Sequence, residues 1–438
     1  LSKLQLLFGC RNFLNAIIAF QAEAQVFLNI NMRLEAFIAS RIFSLSPDKV
    51  SSLVMRITLV SVSLAVAVML ISMAVVIGFK QQIRDKVLGF VAPLQIAPLD
   101  RNESLQQTPF IIDNQLLQQI HALDGVVHTQ AVAEKAGIIK TDDQIQGIVL
   151  KGVDSNYNWN YFKAALKQGI LPDLQDNTTS NDILLSANLA RKLGIGVGDD
   201  LRVWFVDDQE RPRGRKFSVS GIYETGLVEF DERFVLADLR HIIKLNGWED
   251  NQAGVLEVLL DSNTDPEKVY DQIYFSLPVH LTATTAMATY PHIFDWLNLQ
   301  DMNVVIIILL MTLVSGITII SMLLMMVIER TAMIGMLKAM GAGADQIRRL
   351  FLVYSARLLI YGLIAGNLLG LGFVNFQAKT GFLTLPAESY YIDKVPVELV
   401  WWHILIINVG AAFVWFFMLL IPSLVIDRIK PARAIRFS

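Results

Sequence analysis

The chain has 438 residues, 53% of them apolar and 18% charged, with a formal net charge of −3 and one cysteine, Cys10. A single cysteine excludes an intrachain disulfide, so any large domain must be held by its own hydrophobic core. The absence of net positive charge argues against nucleic acid as a partner.

The first methionine is Met32, and residues 1–31 are expected to be an upstream extension without a structural role. Leu6 to Cys10 reads LLFGC, a faint likeness to a bacterial lipidation site, but the apolar run before it is too short for a signal peptide. Residues 32–56 are expected to form a cytoplasmic amphipathic elbow. Residues 57–79, 302–328, 358–378 and 399–426 contain no Asp, Glu, Lys or Arg. Each run is long enough, at about 1.5 Å per residue, to cross roughly 30 Å of hydrocarbon. They are predicted to be four spanning helices.

Orientation follows from the short flanks, because Lys and Arg near helix ends stay cytoplasmic. The segment joining the second and third helices holds Arg330, Lys338, Arg348 and Arg349, and the tail holds Arg428, Lys430, Arg433 and Arg436. The loop 379–398 sets only Lys379 and Lys394 against Glu388, Asp393 and Glu398. Both termini are therefore expected inside, and residues 80–300 outside. That outer segment carries 30 Asp and Glu against 20 Lys and Arg, a formal −10. Trp401 and Trp402 suit an interfacial aromatic belt at the outer start of the fourth helix.

After Gly89 the pattern changes to short alternating runs broken by Gly, Asp and Asn, which predicts an α+β domain between the first two spans. One half has strands near Leu94–Ala97, Val126–Val132 and Ile145–Val149, with a helix starting around Asp113. The other has a strand at Val255–Leu260, a helix opened by Asp265 and Pro266, and a strand near Val279–Thr282. Such separated pieces close into one split βαβ sheet if residues 155–250 form an inserted lobe. That lobe is expected to hold a strand at Ile183–Leu185, a turn of helix at Ala187–Leu193, glycines 194, 196 and 198 as turn residues, and a strand at Leu201–Val206.

The chain has no GxxxxGK[ST], no HExxH, no CxxC and no dinucleotide GxGxxG after a strand. Its six histidines are scattered, and His403, at membrane depth, is expected near the headgroups rather than in a proton relay. Catalysis by this polypeptide is not expected, and no cofactor or metal is expected on it.

Glu329 to Leu350 reads ERTAMIGMLKAMGAGADQIRRL, mixing apolar and basic residues with three glycines. Two readings fit: a helix that docks in a groove of a soluble partner, or one lying on lipid. Gly362, Gly366 and Gly370, four residues apart, predict close approach of another helix. Small and flexible residues on the first helix, including Met69 and Met73, and methionines on the second, including Met302, suit either a cavity for acyl chains or ordinary packing.

Several stretches together are specific. FIASRIF at Phe37–Phe43, GFKQQIRDKVLGFVAP at Gly78–Pro93, ANLARKLGIGVGDDLRV at Ala187–Val203, FSVSGIYETGLVEFD at Phe217–Asp231, ERTAMIGMLKAMGA at Glu329–Ala342, YYIDKVPVEL and the terminal PARAIRF resemble the LolC/LolE permease family, within the FtsX and MacB group. The resemblance runs from Phe37 onward. It implies a MacB-like periplasmic core of two lobes, bacterial inner-membrane location in a diderm, and a non-catalytic permease subunit. It implies a coupling helix at Lys338, Ala339, Met340, Gly341, Ala342, Gly343, Ala344 and Asp345 that contacts a separate cytoplasmic ATPase dimer, which uses ATP and Mg. It further implies a second permease subunit of the same or sister type, and acylated lipoproteins as cargo. The cargo cavity would be lined by helices one and two, with Met69, Met73, Ile77, Phe79, Met302, Ile306 and Leu310 as candidates. In LolC-type members a hairpin after the strand Leu201–Val206 recruits a periplasmic chaperone. Here that region, Asp207, Asp208, Gln209, Glu210, Arg211, Pro212 and Arg213, is short and charged. Met333 stands where relatives often carry an acidic residue, and Leu94 where they commonly have His. An FtsX-like signalling permease controlling a cell-wall hydrolase and a MacB-like efflux subunit are the alternatives.

Overall fold

The computed structural model describes residues 49–99, 107–141, 144–174, 178–206, 211–261, 264–385, 392 and 394–423. Among the described residues, four helices are long and apolar enough to cross a membrane: Leu53–Phe90, Pro291–Glu329, Ala344–Thr380 and Trp401–Pro422. They belong to α1 (Lys49–Phe90), α9 (Pro291–Glu329), α11 (Ala344–Thr380) and α12 (Trp401–Ser423). An α+β domain of two lobes is inserted between the first and second of them. The chain divides into two compact units, one of spanning segments and one covering Gln81–Leu297.

In the helical unit, Val66, Met69 and Leu70 of α1 pack with Ile319 and Leu323 of α9, Phe351 and Leu359 of α11, and Ile407 and Trp415 of α12. Several polar groups among these helices find partners on their own or a neighbouring helix, as an apolar solvent favours. Ser63, Ser315 and Thr318 each donate to the carbonyl four residues back, and Trp415 Nε1 donates to Thr312 O at 3.0 Å. Asn367 and Asn408 exchange amide hydrogen bonds at 2.6 and 3.0 Å, tying α11 to α12. The chain before α12 packs on α1: Glu398 N–H donates to Ala74 O at 2.9 Å. A Cβ at Gly78 would stand 2.8 Å from Glu398 N.

The outer unit follows β1 (Leu94–Pro98), β2 (Phe110–Ile111), α2 (Asn114–His121), β3 (Val126–Lys140), β4 (Ile145–Val153), α3 (Asn160–Ala165), β5 (Leu166–Gly169), β6 (Asp182–Ser186), α4 (Ala187–Leu193), β7 (Asp200–Val206), β8 (Pro212–Tyr223), α5 (Val228–Asp231), β9 (Phe234–Asp238), α6 (Arg240–Asn246), β10 (Gln252–Ala253), β11 (Val255–Leu260), α7 (Pro266–Ser276), β12 (Leu281–Thr285) and α8 (Ala286–Thr289). A short helix of the membrane region, α10, spans Thr331–Ala339. The sheet runs β12-β1-β11-β3-β4-β9-β6-β8-β5, with β7 pairing β3 and β8.

Two cores divide this sheet into lobes. In the first, alternate residues Leu94, Ile96, Leu256 and Val258 pack under Leu116 and Ile120 of α2 and Val269 and Ile273 of α7. In the second, Leu150, Ile183, Leu185, Val203, Phe217 and Val235 pack under α4 and α6. The residues expected to open helices do so: Asp113 accepts from Leu116 N–H at 2.7 Å, and Asp265 from Glu267 N–H at 3.2 Å ahead of Pro266. The two lobes are not separate sheets. β3 is fifteen residues long, pairing β11 along its first half and β4 and β7 further on.

Candidate functional site

The segment between the second and third spans forms a knuckle. α9 ends at Glu329, Arg330 leaves helical geometry at φ −97° and ψ 17°, and α10 follows. Gly341 has φ +94°. Its N–H donates to Lys338 O at 3.1 Å and that of Ala342 to Leu337 O at 3.0 Å. These paired bonds close a helix end that a residue with a side chain adopts only under strain. Gly343 then opens α11, its N–H held by Gln346 Oε1 at 3.2 Å.

The knuckle is fixed on one side and open on the other. Ile334, Ile347, Leu350 and Phe351 are buried in the helical core, and Met333, Leu337 and Ala342 pack against it. Ala339, Met340, Gly341, Gly343 and Asp345 are exposed, Met340 by 77%, while Lys338 and Ala344 are half-buried. Asp345 pairs only loosely with Arg348, at 3.6 Å. An apolar tip with one carboxylate on a rigid base is suited to a groove on a partner. Met333 is half-buried and packs against the core, away from the exposed tip.

Gly362, Gly366 and Gly370 all meet α1. Added Cβ atoms would lie 2.6 Å from Val62 Cγ1, 2.6 Å from Val66 Cβ and 3.1 Å from Leu70 Cδ1 respectively. Backbones approach here because no side chain intervenes.

The candidate cavity residues do not share one surface. Met69 is fully buried, accepting from Thr312 Oγ1 at 3.5 Å, and Phe79 is also buried. Met73 and Ile77 are half-buried, whereas Met302, Ile306 and Leu310 are half exposed or more. Met69 belongs to the buried core of the helical bundle, and Phe79 is buried further along α1. The open face of α1 is instead Leu53, Ile57, Val60 and Leu64, each more than half exposed. Their 4-3-4 spacing is a helical stripe legible in the sequence, but in an all-apolar span nothing there tells an outward stripe from an inward one.

Asp207, Asp208, Gln209 and Glu210 lie outside the described residues. Arg211, Pro212 and Arg213 are exposed, and Pro212 pairs with Val206 to close the β7–β8 hairpin. His403 sits beside Trp401 and Trp402 at the start of α12.

A family model for the MacB-like periplasmic core domain matches residues 56–274, and one for the FtsX-like permease C-terminal region matches 305–431. The lipoprotein-releasing system transmembrane protein LolC of Xylella fastidiosa is 24% identical over 410 residues, covering 88% of this chain and 94% of the relative. LolE of Haemophilus influenzae is 21% identical over 418 residues with the same coverage. Among solved structures, the periplasmic region of MacB from Actinobacillus actinomycetemcomitans aligns at 12% identity and a TM-score of 0.33, covering 48% of this chain and 96% of that one. With a periplasmic-core match across half of its length and a permease match over the helices that follow, the chain belongs to the family of permeases with a MacB-like periplasmic core and an FtsX-like C-terminal region, and it is similar to LolC and LolE over 88% of its length.

Proposed function

We propose that the chain is the membrane subunit of an ATP-driven transporter that lifts acylated lipoproteins out of the inner membrane for transfer toward the outer membrane. The observation that carries this is the rigid knuckle at Lys338 to Asp345, an exposed tip built onto the core that joins α9 to α11. A separate cytoplasmic ATPase dimer, binding ATP and Mg itself, grips that tip. Closure of the ATPase moves α10, and the shared core carries the movement into the spans.

The described residues offer four spans, too few to enclose a large passage. The open stripes of α1 and α9 therefore face a second permease subunit, alike or of the sister type, and acyl chains occupy the space between. Extracting them costs about 0.8 kcal/mol per buried CH₂, which is why hydrolysis elsewhere is needed. Both termini and the knuckle lie on the cytoplasmic side, with Gln81–Leu297 in the periplasm.

The test is depletion in a diderm host followed by fractionation of its membranes. Outer-membrane lipoproteins should accumulate in the inner membrane. Unchanged fractionation rejects this cargo, and a co-purifying cell-wall hydrolase in the same cells would favour the signalling alternative.

A further inference from the structure

The outward end of α1 is held by an unusual set of buried groups. α1 stops at Phe90, leaving its last carbonyls without helical donors. Lys151 Nζ, from β4, donates to Phe90 O at 2.9 Å and to Glu257 Oε1 of β11 at 2.8 Å. Glu257 Oε2 accepts from Gln130 Nε2 of β3 at 2.7 Å, and Gln130 Oε1 accepts from Asn158 N–H at 2.9 Å. The side chains of Lys151 and Glu257 are each 2% exposed. The ammonium also lies 5.3 Å from the centre of the Phe90 ring and 5.8 Å from that of Tyr157. Burial alone would push the Lys151 ammonium down, but the Glu257 carboxylate beside it holds it above the ordinary lysine value, so it stays charged.

Shape reinforces charge. The Phe90 ring packs among Phe162, Phe230 and Phe234 at 5.6, 4.7 and 5.2 Å. A Cβ on Gly89 would fall 2.2 Å from the Tyr161 ring. Tyr290, just before α9, reaches the same cluster through Phe230 at 5.2 Å, and Ala286 N–H donates to Pro93 O at 2.9 Å.

A buried ion pair is not a source of stability relative to apolar residues of the same volume, because desolvation offsets the attraction. What it does supply is register, since a charge in an apolar surround tolerates one partner position. A greasy contact permits sliding; a lysine capping a helix end does not. We propose that Lys151, Glu257 and Gln130 are positioning residues forming a joint that fixes the end of α1 to the sheet, so that displacement of the helix reaches the outer domain as rigid motion. The use of this joint in cargo release rests on the proposed function; the joint itself does not.

Two arms separate the two claims. With Cys10→Ala, nitroxide labels at the exposed positions 84 and 127 report the distance between α1 and β3 in the full chain. The wild-type distribution should be narrow, and that of K151M/E257M about twice as wide on the ps–ns to ms scales that local motions span, with the melting midpoint retained. Q130L, which leaves the ion pair in place, should show an intermediate width and serves if the double variant does not fold. An unchanged width in the folded variants overturns the joint whatever the cargo. In proteoliposomes with the partner ATPase, the double variant should hydrolyse ATP at the wild-type rate while releasing lipoprotein on the order of tenfold more slowly. Equal release per ATP in variant and wild type overturns the coupling role. Widened distances with no release by the wild type leave the joint standing and reject the cargo.

Discussion

At the scale of single residues, Asp154 gives the outer domain a pH response. Burial raises its carboxyl from the ordinary range to about 6, an effect only partly offset by the Ala131 N–H, which donates to Oδ2 at 3.3 Å. For an acid whose folded pKa lies above its unfolded one, the penalty is fully present above about 6. It shrinks as pH falls and is gone below about 4. Asp154→Asn should therefore stabilise the protein at pH 7.5 by on the order of 2 kcal/mol and make no difference near pH 4. Melting midpoints of both proteins across that range check this, and a constant offset at every pH would contradict it. Lys151 and Glu257 teach a related lesson. Each is an unremarkable charge in a strand when read in sequence, because 106 positions separate them and only pairing of β11, β3 and β4 brings them together.

Among the elements, the knuckle and the glycine stripe make opposite demands. Gly341 is free of neighbours, so its constraint is conformational: at φ +94° a β-branched side chain is strained by about 1–3 kcal/mol. Gly341→Val should reshape the tip and lower co-purification of the ATPase while the circular dichroism of the outer domain is unchanged; full co-purification would show that the tip is not the contact. Gly366 has helical geometry, and its constraint is space. A side chain there meets Val66 Cβ at 2.6 Å and Ser63 O at 2.7 Å, so Gly366→Leu should separate α1 from α11 and lower the yield of detergent-stable protein. The four-residue spacing announced such packing, but the identity of the neighbour as α1 needed the folded bundle. Seven strands, β1, β3, β4, β6, β7, β11 and β12, were readable at least in part as short apolar or alternating runs, whereas β8 and β9 were not anticipated; the continuity of β3 through both lobes was not readable either, because alternation within a strand says nothing about how many partners it has.

For the whole molecule, the testable statement is sidedness. In a Cys10→Ala background, a cysteine at Val279, 93% exposed in the outer unit, should react with a membrane-impermeant thiol reagent in intact spheroplasts. One at Met340, 77% exposed on the knuckle, should react only after permeabilisation. The reverse pattern would invert the topology and with it the proposed direction of release. The charge distribution argues for the stated sense: the knuckle and tail are basic, while residues 80–300 carry a formal −10.

Sequence by itself determined the number of spans, the place of the inserted domain, most of its strands and helix starts, and the family. All of these are written in local patterns: uncharged runs, alternation, caps and motifs. Tertiary structure alone decided that Met69 packs inward while Leu53, Ile57, Val60 and Leu64 face out, that two cores share one sheet, and that the end of α1 is held by a lysine from β4. Those outcomes depend on contacts between residues far apart in the chain, and a uniformly apolar helix carries no local mark of which side its neighbours will occupy.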